Sequence, residues 1–429
     1  MLQLTSNACR VAAQCAVAAA WMARPAPTWP QDPGVSPCAV SAGPSRRLEL
    51  PDGRIVSVDV KSVAASGGSV IAVGQYAYVF PRGSTPTTSP VQRDSIIGVL
   101  IDSRGAVTLV PSPFGHRPIR YSRVAPGPDG SFHAVFVPGS ESDSLPQPDT
   151  ATIWYAQFAG GAWRVPVPVA TTSDAALDEE LTSNLLVWNG SLSLAFSFLD
   201  RSNAESGGGL VLLRRRDGRW TSDTLRTYRE PSMVRTARAP DGSSVSVLFA
   251  QSVANARAED VWLTRLDSAW SVPRRLGGRA GHPVSDLALA SVAGGLVPSW
   301  STWQWLDDAT NRLEWTRIGL DGTPARAAVV DSGKTTYPFE MIALDNRPLW
   351  LFRGEPYGTT ASYAMAIGGA ALHRGTVTIP LHNPLPKAIA LSPARVLVFT
   401  MKRGQAGDEP MIASYATVLE FRCPRSARR

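Results

Sequence analysis

Val234-Arg235-Thr236-Ala237-Arg238-Ala239-Pro240-Asp241-Gly242 is a strand-like run closed by a tight-turn signal, and Val245-Ser246-Val247-Leu248-Phe249 answers it. After a polar loop come Val261-Trp262-Leu263-Thr264-Arg265-Leu266 and then Trp270-Ser271-Val272-Pro273. Period-two alternation with β-branched and aromatic enrichment makes these four short strands, the first pair joined through Asp-Gly. The same pattern recurs along the chain. Equivalent second strands end at Val73, Phe136, Phe196, Phe249, Trp300, Phe352 and Phe399, which are 63, 60, 53, 51, 52 and 47 residues apart. A period near 50 with four strands per unit is the signature of a β-propeller. The expected fold is all-β, a single seven-bladed β-propeller of four-stranded blades, with six blades as the alternative.

In unit one the strands are expected over 55–64, 70–80, 96–102 and 106–110, and in unit two over 121–125, 132–137, 152–158 and 163–169. Unit three takes 185–188, 192–198, 210–214 and 220–225, unit five 287–291, 296–300, 313–318 and 325–330, and unit six 340–344, 349–352, 363–367 and 376–379. Unit seven offers only 387–391, 396–400 and 412–418. Its fourth strand is missing, while Leu48-Glu49-Leu50 stands alone ahead of Pro51-Asp52-Gly53. The economical expectation is that this isolated segment supplies the outer strand of the last blade and fastens the ring, removing open sheet edges.

The 429 residues carry 44% hydrophobic and 18% charged side chains, ample for a core and unlike a disordered chain. The 36 Gly and 35 Pro fall at turn positions rather than in low-complexity runs. The formal charge of +7 comes almost wholly from Arg, scattered through every unit, with bunches at Arg214-Arg215-Arg216 and at Arg425, Arg428 and Arg429. A nucleic-acid protein gathers its charge on one face, so no nucleic-acid partner is expected.

Residues 1–23 read as an export signal: Arg10 precedes the apolar stretch 11–20, and Ala18-Ala19-Ala20 or Ala23 offers a small-residue cleavage site. The stretch is shorter than the roughly 20 apolar residues a membrane span needs, and no membrane span is expected elsewhere. Gln14 before Cys15 disfavours lipidation. An extension over 24–46, the propeller over 47–423 and a basic tail over 424–429 complete the organisation, with a secreted or periplasmic location and a monomer expected. Removal of the signal leaves two cysteines, Cys38 and Cys423, one near each end. A closed ring brings its ends together, so these two are expected to form a disulfide in an oxidising compartment.

The turns between third and fourth strands hold Arg216-Asp217-Gly218-Arg219-Trp220-Thr221, Leu266-Asp267-Ser268-Ala269-Trp270-Ser271 and Ala159-Gly160-Gly161-Ala162-Trp163-Arg164. These resemble the degenerate Asp-box (BNR) repeats of sialidase-like propellers. The copies lack the box's Ser, and only two keep Asp beside Trp. Such a box is structural, Asp capping the turn and Trp packing between blades. What the resemblance implies is therefore fold, not catalysis.

Tyr228-Arg229-Glu230-Pro231 precedes the first strand of unit four, and His116-Arg117-Pro118-Ile119-Arg120 that of unit two. His282-Pro283, Tyr337-Pro338 and Pro384-Leu385-Pro386 hold the same place in units five to seven. Such segments line one mouth of the central channel. Sialidases carry an Arg-Ile-Pro motif there, part of an arginine triad for the substrate carboxylate; Arg229-Glu230-Pro231 is similar but has Glu for Ile. Recurrence of Pro in five units favours a device that rigidifies the start of each strand. A sialidase would further need a Tyr nucleophile beside a Glu and an acid. Tyr337 with Glu340, Tyr228 with Glu230, and the loop bearing Asp174, Asp178, Glu179 and Glu180 are the candidates, and none sits in a family motif.

The five His residues lack metal-ligand spacing, and His133, inside a strand, reads as core. Gly207-Gly208-Gly209 precedes a strand, so it is no phosphate loop. No Gly-x-Ser-x-Gly elbow appears, and neither metal nor cofactor is expected. Two Trp residues flank Gln in Ser301-Thr302-Trp303-Gln304-Trp305, between second and third strands. Trp faces stack on sugar rings or bury into partners. Arg117, Arg229, His282, Trp303, Trp305, Tyr337 and Glu340 are thus the expected ligand-binding residues. The function read from the sequence is a non-catalytic binding module for a glycan or a cell-surface protein, with a divergent sialidase-type glycoside hydrolase as alternative.

Overall fold

The computed structural model describes residues 38–82, 95–139, 150–173, 183–188, 191–199, 208–227, 229, 231–252, 259–278, 282–303, 311–333, 339–353, 360–368, 371–379, 382–402 and 413–423. They belong to one unit spanning Ser36–Arg429. Among them regular structure is strand throughout, apart from a 3-10 turn at Pro128–Gly130.

Seven antiparallel sheets follow one another along the chain. Blade 1 has strands Ile55–Ser66, Ser69–Phe80, Ile96–Ile101 and Val107–Pro111, and blade 2 has Ile119–Pro126, Phe132–Pro138, Thr150–Ala159 and a split outer edge, Ala162–Trp163 and Val167–Ser173. Blade 3 has Ser183–Trp188, Ser191–Leu199, Gly208–Arg216 and Arg219–Thr227, and blade 4 has Pro231–Arg238, Val245–Ser252, Glu259–Leu266 and Arg274–Gly278. Blade 5 has Val284–Val292, Gly295–Thr302, Asn311–Trp315 and Ala328–Gly333, and blade 6 has Phe339–Leu344, Arg347–Arg353, Thr360–Gly368 and Ala371–Thr378. Blade 7 takes His382–Ser392, Arg395–Lys402 and Ala413–Arg422 from the end of the chain. The first strand of every blade contacts the first strand of the next, including blade 7 against blade 1. That closed circuit makes the first strands innermost and fixes the count at seven.

Alternation explains the packing. Each strand turns one set of side chains to the preceding blade and the other to the following one, so hydrophobic clusters form at the blade interfaces. The residues that set the sequence period sit in them. Val73, Phe136, Phe249, Trp300, Phe352 and Phe399 are all essentially excluded from solvent, each burial stabilising by roughly 1.5–3 kcal/mol. Two-residue hairpins at Gly67-Gly68, Gly160-Gly161, Asp217-Gly218 and Asp345-Asn346 have positive φ at both positions, the twist that suits adjacent antiparallel strands.

The outer edge of blade 7 comes from the chain's start, but upstream of the expected Leu48-Glu49-Leu50. Ala39–Ala42 and Arg46–Arg47 pair antiparallel with Ala413–Arg422. Leu48 and Leu50 are instead buried among Val56, Val58, Leu397 and Phe399. Leu48 donates its N–H to the Ser414 carbonyl and accepts from Val56 N, tying blade 7 to blade 1. An edge strand must tolerate water on one side, which Ala39–Ala42 does and a pair of leucines does not. Cys38 and Cys423 are bonded, their Cα atoms 4.1 Å apart across a sequence separation of 385 residues.

In blades 4 and 5 the outermost strand starts later than expected, at Arg274 and Ala328, and in blade 2 it is interrupted between Trp163 and Val167. Pro166 and Pro273 stand directly before Val167 and Arg274; a proline has no N–H for the ladder. The box-like Trp residues are nonetheless structural. Trp163 donates Nε1 to the Pro111 carbonyl of blade 1 at 2.7 Å, and Trp220 meets Tyr155 of blade 2 edge-on. His133 is half-buried, with Nδ1 2.8 Å from the Tyr155 hydroxyl.

Replacing both Cys38 and Cys423 by Ser is expected to lower the unfolding free energy by roughly 5 kcal/mol, from the long loop the bond closes. Urea denaturation of the two proteins checks it, and equal midpoints would contradict it.

Candidate functional site at the channel mouth

In an antiparallel meander the start of the innermost strand, the end of the second, the start of the third and the end of the outermost share one end of the blade. Of the candidates, Arg117, Arg229, His282 and Trp303, which adjoin such strand ends, therefore share one end of the blades. What holds their backbone there is a set of irregularities in the innermost strands. Register shifts fall at Val58/Val60 and Val60/Ser62 in blade 1, Ile119/Tyr121 in blade 2, Pro231/Met233 in blade 4, Val284/Asp286 in blade 5 and His382/Lys387 in blade 7. Bulges free ladder groups, re-aim side chains and recur at barrel rims.

Side chains of neighbouring blades take up the freed groups. In blade 7, Ser414 Oγ accepts from Val58 N at 2.8 Å and donates to the Val58 carbonyl at 3.0 Å. Gln75 of blade 1 donates to the Arg120 carbonyl of blade 2 at 2.9 Å, and Val124 N donates to Ser62 Oγ at 3.1 Å. Glu259, at the start of blade 4's third strand, accepts from Ser232 Oγ at 2.6 Å and from Val284 N of blade 5 at 2.9 Å. Burial pushes the Glu259 carboxyl up, and those two donors oppose it.

Below this rim the channel is crossed by charge. Arg235 of blade 4 pairs with Asp286 of blade 5 at 3.1 Å, and Lys387 of blade 7 pairs with Glu340 of blade 6 at 3.3 Å. Lys387 and Glu340 also act electrostatically on Asp286. Groups from four blades approach one another only near the axis, so this network forms a floor beneath the mouth. Asp59 and Lys61 of blade 1 pair at 3.1 Å. Asp286 is 6% exposed. Burial pushes its carboxyl up, and Arg235 and then Lys387 pull it back down.

Of the expected ligand residues, three gather on blades 4 and 5. Arg229 is half-buried, and its carbonyl is held by Gln251 Nε2 at 2.6 Å and Thr227 Oγ1 at 2.5 Å. His282 and Trp303 are half-buried at the rim of blade 5, and Trp303 N donates to the Pro283 carbonyl at 3.0 Å. Glu259 bonds to both of these blades. Arg117 is exposed on blade 2 with Nε on the Gly139 carbonyl at 2.9 Å, separated from blade 4 by blade 3. Glu340 lies in the ionic floor rather than at the rim. Trp305 and Tyr337 lie outside the described residues, as do Tyr228, Glu230 and the acidic loop at 174–180. The ionic floor and the Glu259 clamp were missed. The signal was present: single charges inside apolar first strands, as in Val58-Asp59-Val60-Lys61 and Val234-Arg235.

Between blades 5 and 6, near the same end, Asn311 Oδ1 and Asp331 Oδ1 are buried with no hydrogen-bond partner. Burial raises the Asp331 carboxyl to about 6, opposed by the Ser332 backbone and Arg374. Among the described residues no group of three His, Cys, Asp or Glu is placed to hold a metal ion. At the opposite end, a cleft of about 220 Å³ opens between blades 4 and 5 over Leu263, Leu296 and Ile318. Asp241 on its rim is occupied as a turn cap, its carboxyl lowered chiefly by the Ser243 N–H. The cleft holds no group set up for chemistry.

No family model matches the sequence, and no curated protein matches it. Solved structures do. A polysaccharide lyase is 11% identical with a TM-score of 0.50, over 84% of this chain and 90% of the lyase. A protein of unknown function from Dyadobacter fermentans is 12% identical with a TM-score of 0.46, over 89% of this chain and 99% of that one. A subtype N11 neuraminidase-like protein of an A/flat-faced bat/Peru isolate is 10% identical with a TM-score of 0.42, over 73% of this chain and 90% of that one. At such identities the likeness is one of fold.

Asp286→Ala is expected to cost about 3–5 kcal/mol, because it strands the Arg235 guanidinium near the axis. Arg235→Met/Asp286→Leu is expected to recover most of that loss. Thermal melts of both variants check the pair; a double variant as unstable as the single would refute the floor's ionic logic.

Asp331 gives a pH signature. Its folded pKa lies above its unfolded one, so its contribution is full below pH 4 and is lost as pH rises through about 6. The loss is on the order of 2–3 kcal/mol. Asp331→Asn is expected to flatten the stability profile between pH 4 and 7 and to be the more stable protein at pH 7. Chemical denaturation across that range reads both effects.

Proposed function

We propose that this chain is an exported, non-catalytic binding propeller that takes a glycan at the channel mouth on blades 4 and 5. The observation that carries the reading is the arrangement of that rim. Arg229, His282 and Trp303 stand on adjacent blades with their backbones fixed by Gln251, Thr227 and Pro283. A planar donor, an imidazole and an indole face suit sugar hydroxyls and the apolar side of a pyranose ring.

Of the carboxylates described at this end, those of Glu259, Asp286 and Glu340 are engaged, which favours binding over chemistry, while Asp331 is buried between blades 5 and 6 with Oδ1 unbonded. Glycoside hydrolysis asks for two carboxyl groups flanking a bond. Glu259 is engaged by two donors, Asp286 by Arg235 and Glu340 by Lys387. Export fits the Cys38–Cys423 bond, which needs an oxidising compartment. No helix among the described residues is long and apolar enough to cross a membrane.

A glycan array probed with the protein and with Trp303→Ala/Trp305→Ala tests the reading. Selective binding that falls roughly tenfold or more in the double variant is expected, as one stacked ring contributes at least 1.4 kcal/mol. Silence on every glycan, or binding that the double variant keeps, would overturn it. Turnover of a sialoside that Tyr337→Phe abolishes would replace it with the hydrolase.

A further inference from the structure

Every blade of a propeller leaves one outer strand with unpaired N–H and C=O groups, and such edges are usually blunted. Six of the seven here are. Blade 1's edge is five residues long, ends in Pro111 and carries a register shift at Ile96/Gly98. Blade 2's is split and shifts around Pro168. Blade 4's has five residues and a shift at Val261/Trp262, and blade 5's has six and a shift at Leu313/Glu314. Blade 6's shifts only at the hairpin end, Ala366/Gly368, but it carries Gly375 and lies against Ala39–Ala42, and blade 7's is two separate pieces.

Blade 3 differs. Arg219–Thr227 runs nine residues, and its nine partners Gly208–Arg216 follow without a shift. It contains no proline or glycine. Arg219, Thr221, Ser222, Thr224 and Arg226 are exposed along it, and Thr favours extended backbone. The inner side is anchored by Trp220 on Tyr155, by Leu225 in the cluster shared with blade 4, and by the Arg214–Asp223 ion pair. The edge is thus straight, rigid and open.

Its charge selects the partner. Residues 208–227 contain five Arg and two Asp, so 5 − 2 gives a net +3 at neutral pH. Arg216 is 85% exposed beside the turn. A second copy of this chain pairing there would set +3 against +3, and like charges across a ladder are destabilising. An extended acidic segment meets the opposite situation.

We propose that the outer edge of blade 3, Arg219–Thr227, binds an extended acidic segment of a partner protein by adding it as a fifth strand. Main-chain hydrogen bonds supply affinity, and the flanking arginines supply selectivity. This surface lies on the rim of the propeller, apart from the channel mouth.

The test titrates a fluorescein-labelled peptide of five Val-Glu repeats into the intact protein and reads anisotropy. Two further peptides carry N-methyl groups on every Val or on every Glu. Alternate residues of a strand direct their N–H groups to opposite sides. One methylated peptide is therefore expected to lose roughly tenfold or more in affinity while the other binds like the parent. Arg216→Glu/Arg219→Glu, at two exposed positions beside the turn, is expected to weaken the parent peptide by a similar factor without moving the melting temperature. Hydrogen exchange is expected to slow at 219–227 when the parent is bound.

Equal binding by all three peptides would reduce the contact to charge attraction and overturn the proposal. So would absence of binding, protection on another outer strand, or concentration-dependent dimerisation that protects 219–227 without peptide. The methylated peptides need only the unaltered protein, so a folding defect in the charge-reversed variant would not blunt the test.

Discussion

Everything in this ring depends on how the bulged innermost strands are caught by the blade beside them. A bulge at the channel wall leaves amides and carbonyls without ladder partners in a place where water is scarce, and each such group costs on the order of 1–3 kcal/mol if left bare. Ser414 answers the need between blades 7 and 1, Ser62 and Gln75 between blades 1 and 2, and Glu259 between blades 4 and 5. These contacts do two things at once. They satisfy the backbone, and they set the angle at which one blade meets the next. The hydrophobic clusters between blades are non-directional and would tolerate sliding; the captured bulges do not.

The same irregularity creates the candidate site. A straight first strand would keep its alternating side chains in the blade interfaces and present little to the channel. The shifts around Asp59, Lys61 and Asp286 re-aim charged residues toward the axis, where four blades contribute to one ionic floor. Burying charge is costly, and the pairings of Arg235 with Asp286 and of Lys387 with Glu340 offset that cost. Charged pairs thus bridge blades 4 and 5 and blades 6 and 7 at their innermost strands.

The repeat was legible because it is written in residues that cannot be moved. Phe249, Trp300 and Phe352 must recur at one interval for seven interfaces to fill, and Asp217-Gly218 must turn one way. Cys38 and Cys423 were paired by the logic of closure alone. The closing strand was misplaced because Leu48-Glu49-Leu50 has the hydrophobic alternation of a strand, whereas a true edge is bland. Ala39–Ala42 carries no such signal. The site was less legible for a related reason. Whether Arg235 faces solvent or the axis is decided by a one-residue shift upstream, and periodicity does not reveal a shift. Glu340 illustrates it: nothing in its local sequence announces the pairing with Lys387 of the next blade.

The pairing of Ala39–Ala42 with Ala413–Arg422 also has a consequence in time. Blades 1 to 6 are each contiguous in sequence, so each has all its strands as soon as that stretch of chain has left the ribosome. Blade 7 joins segments far apart in the sequence and stays incomplete until Ala413–Arg422 has been made. Until then the first and last blades present raw edges, and the interface between them is uncovered. The delay keeps the ring open while nearly all of its strands are being made. Its final closure belongs to the compartment in which the last strand and the first finally meet.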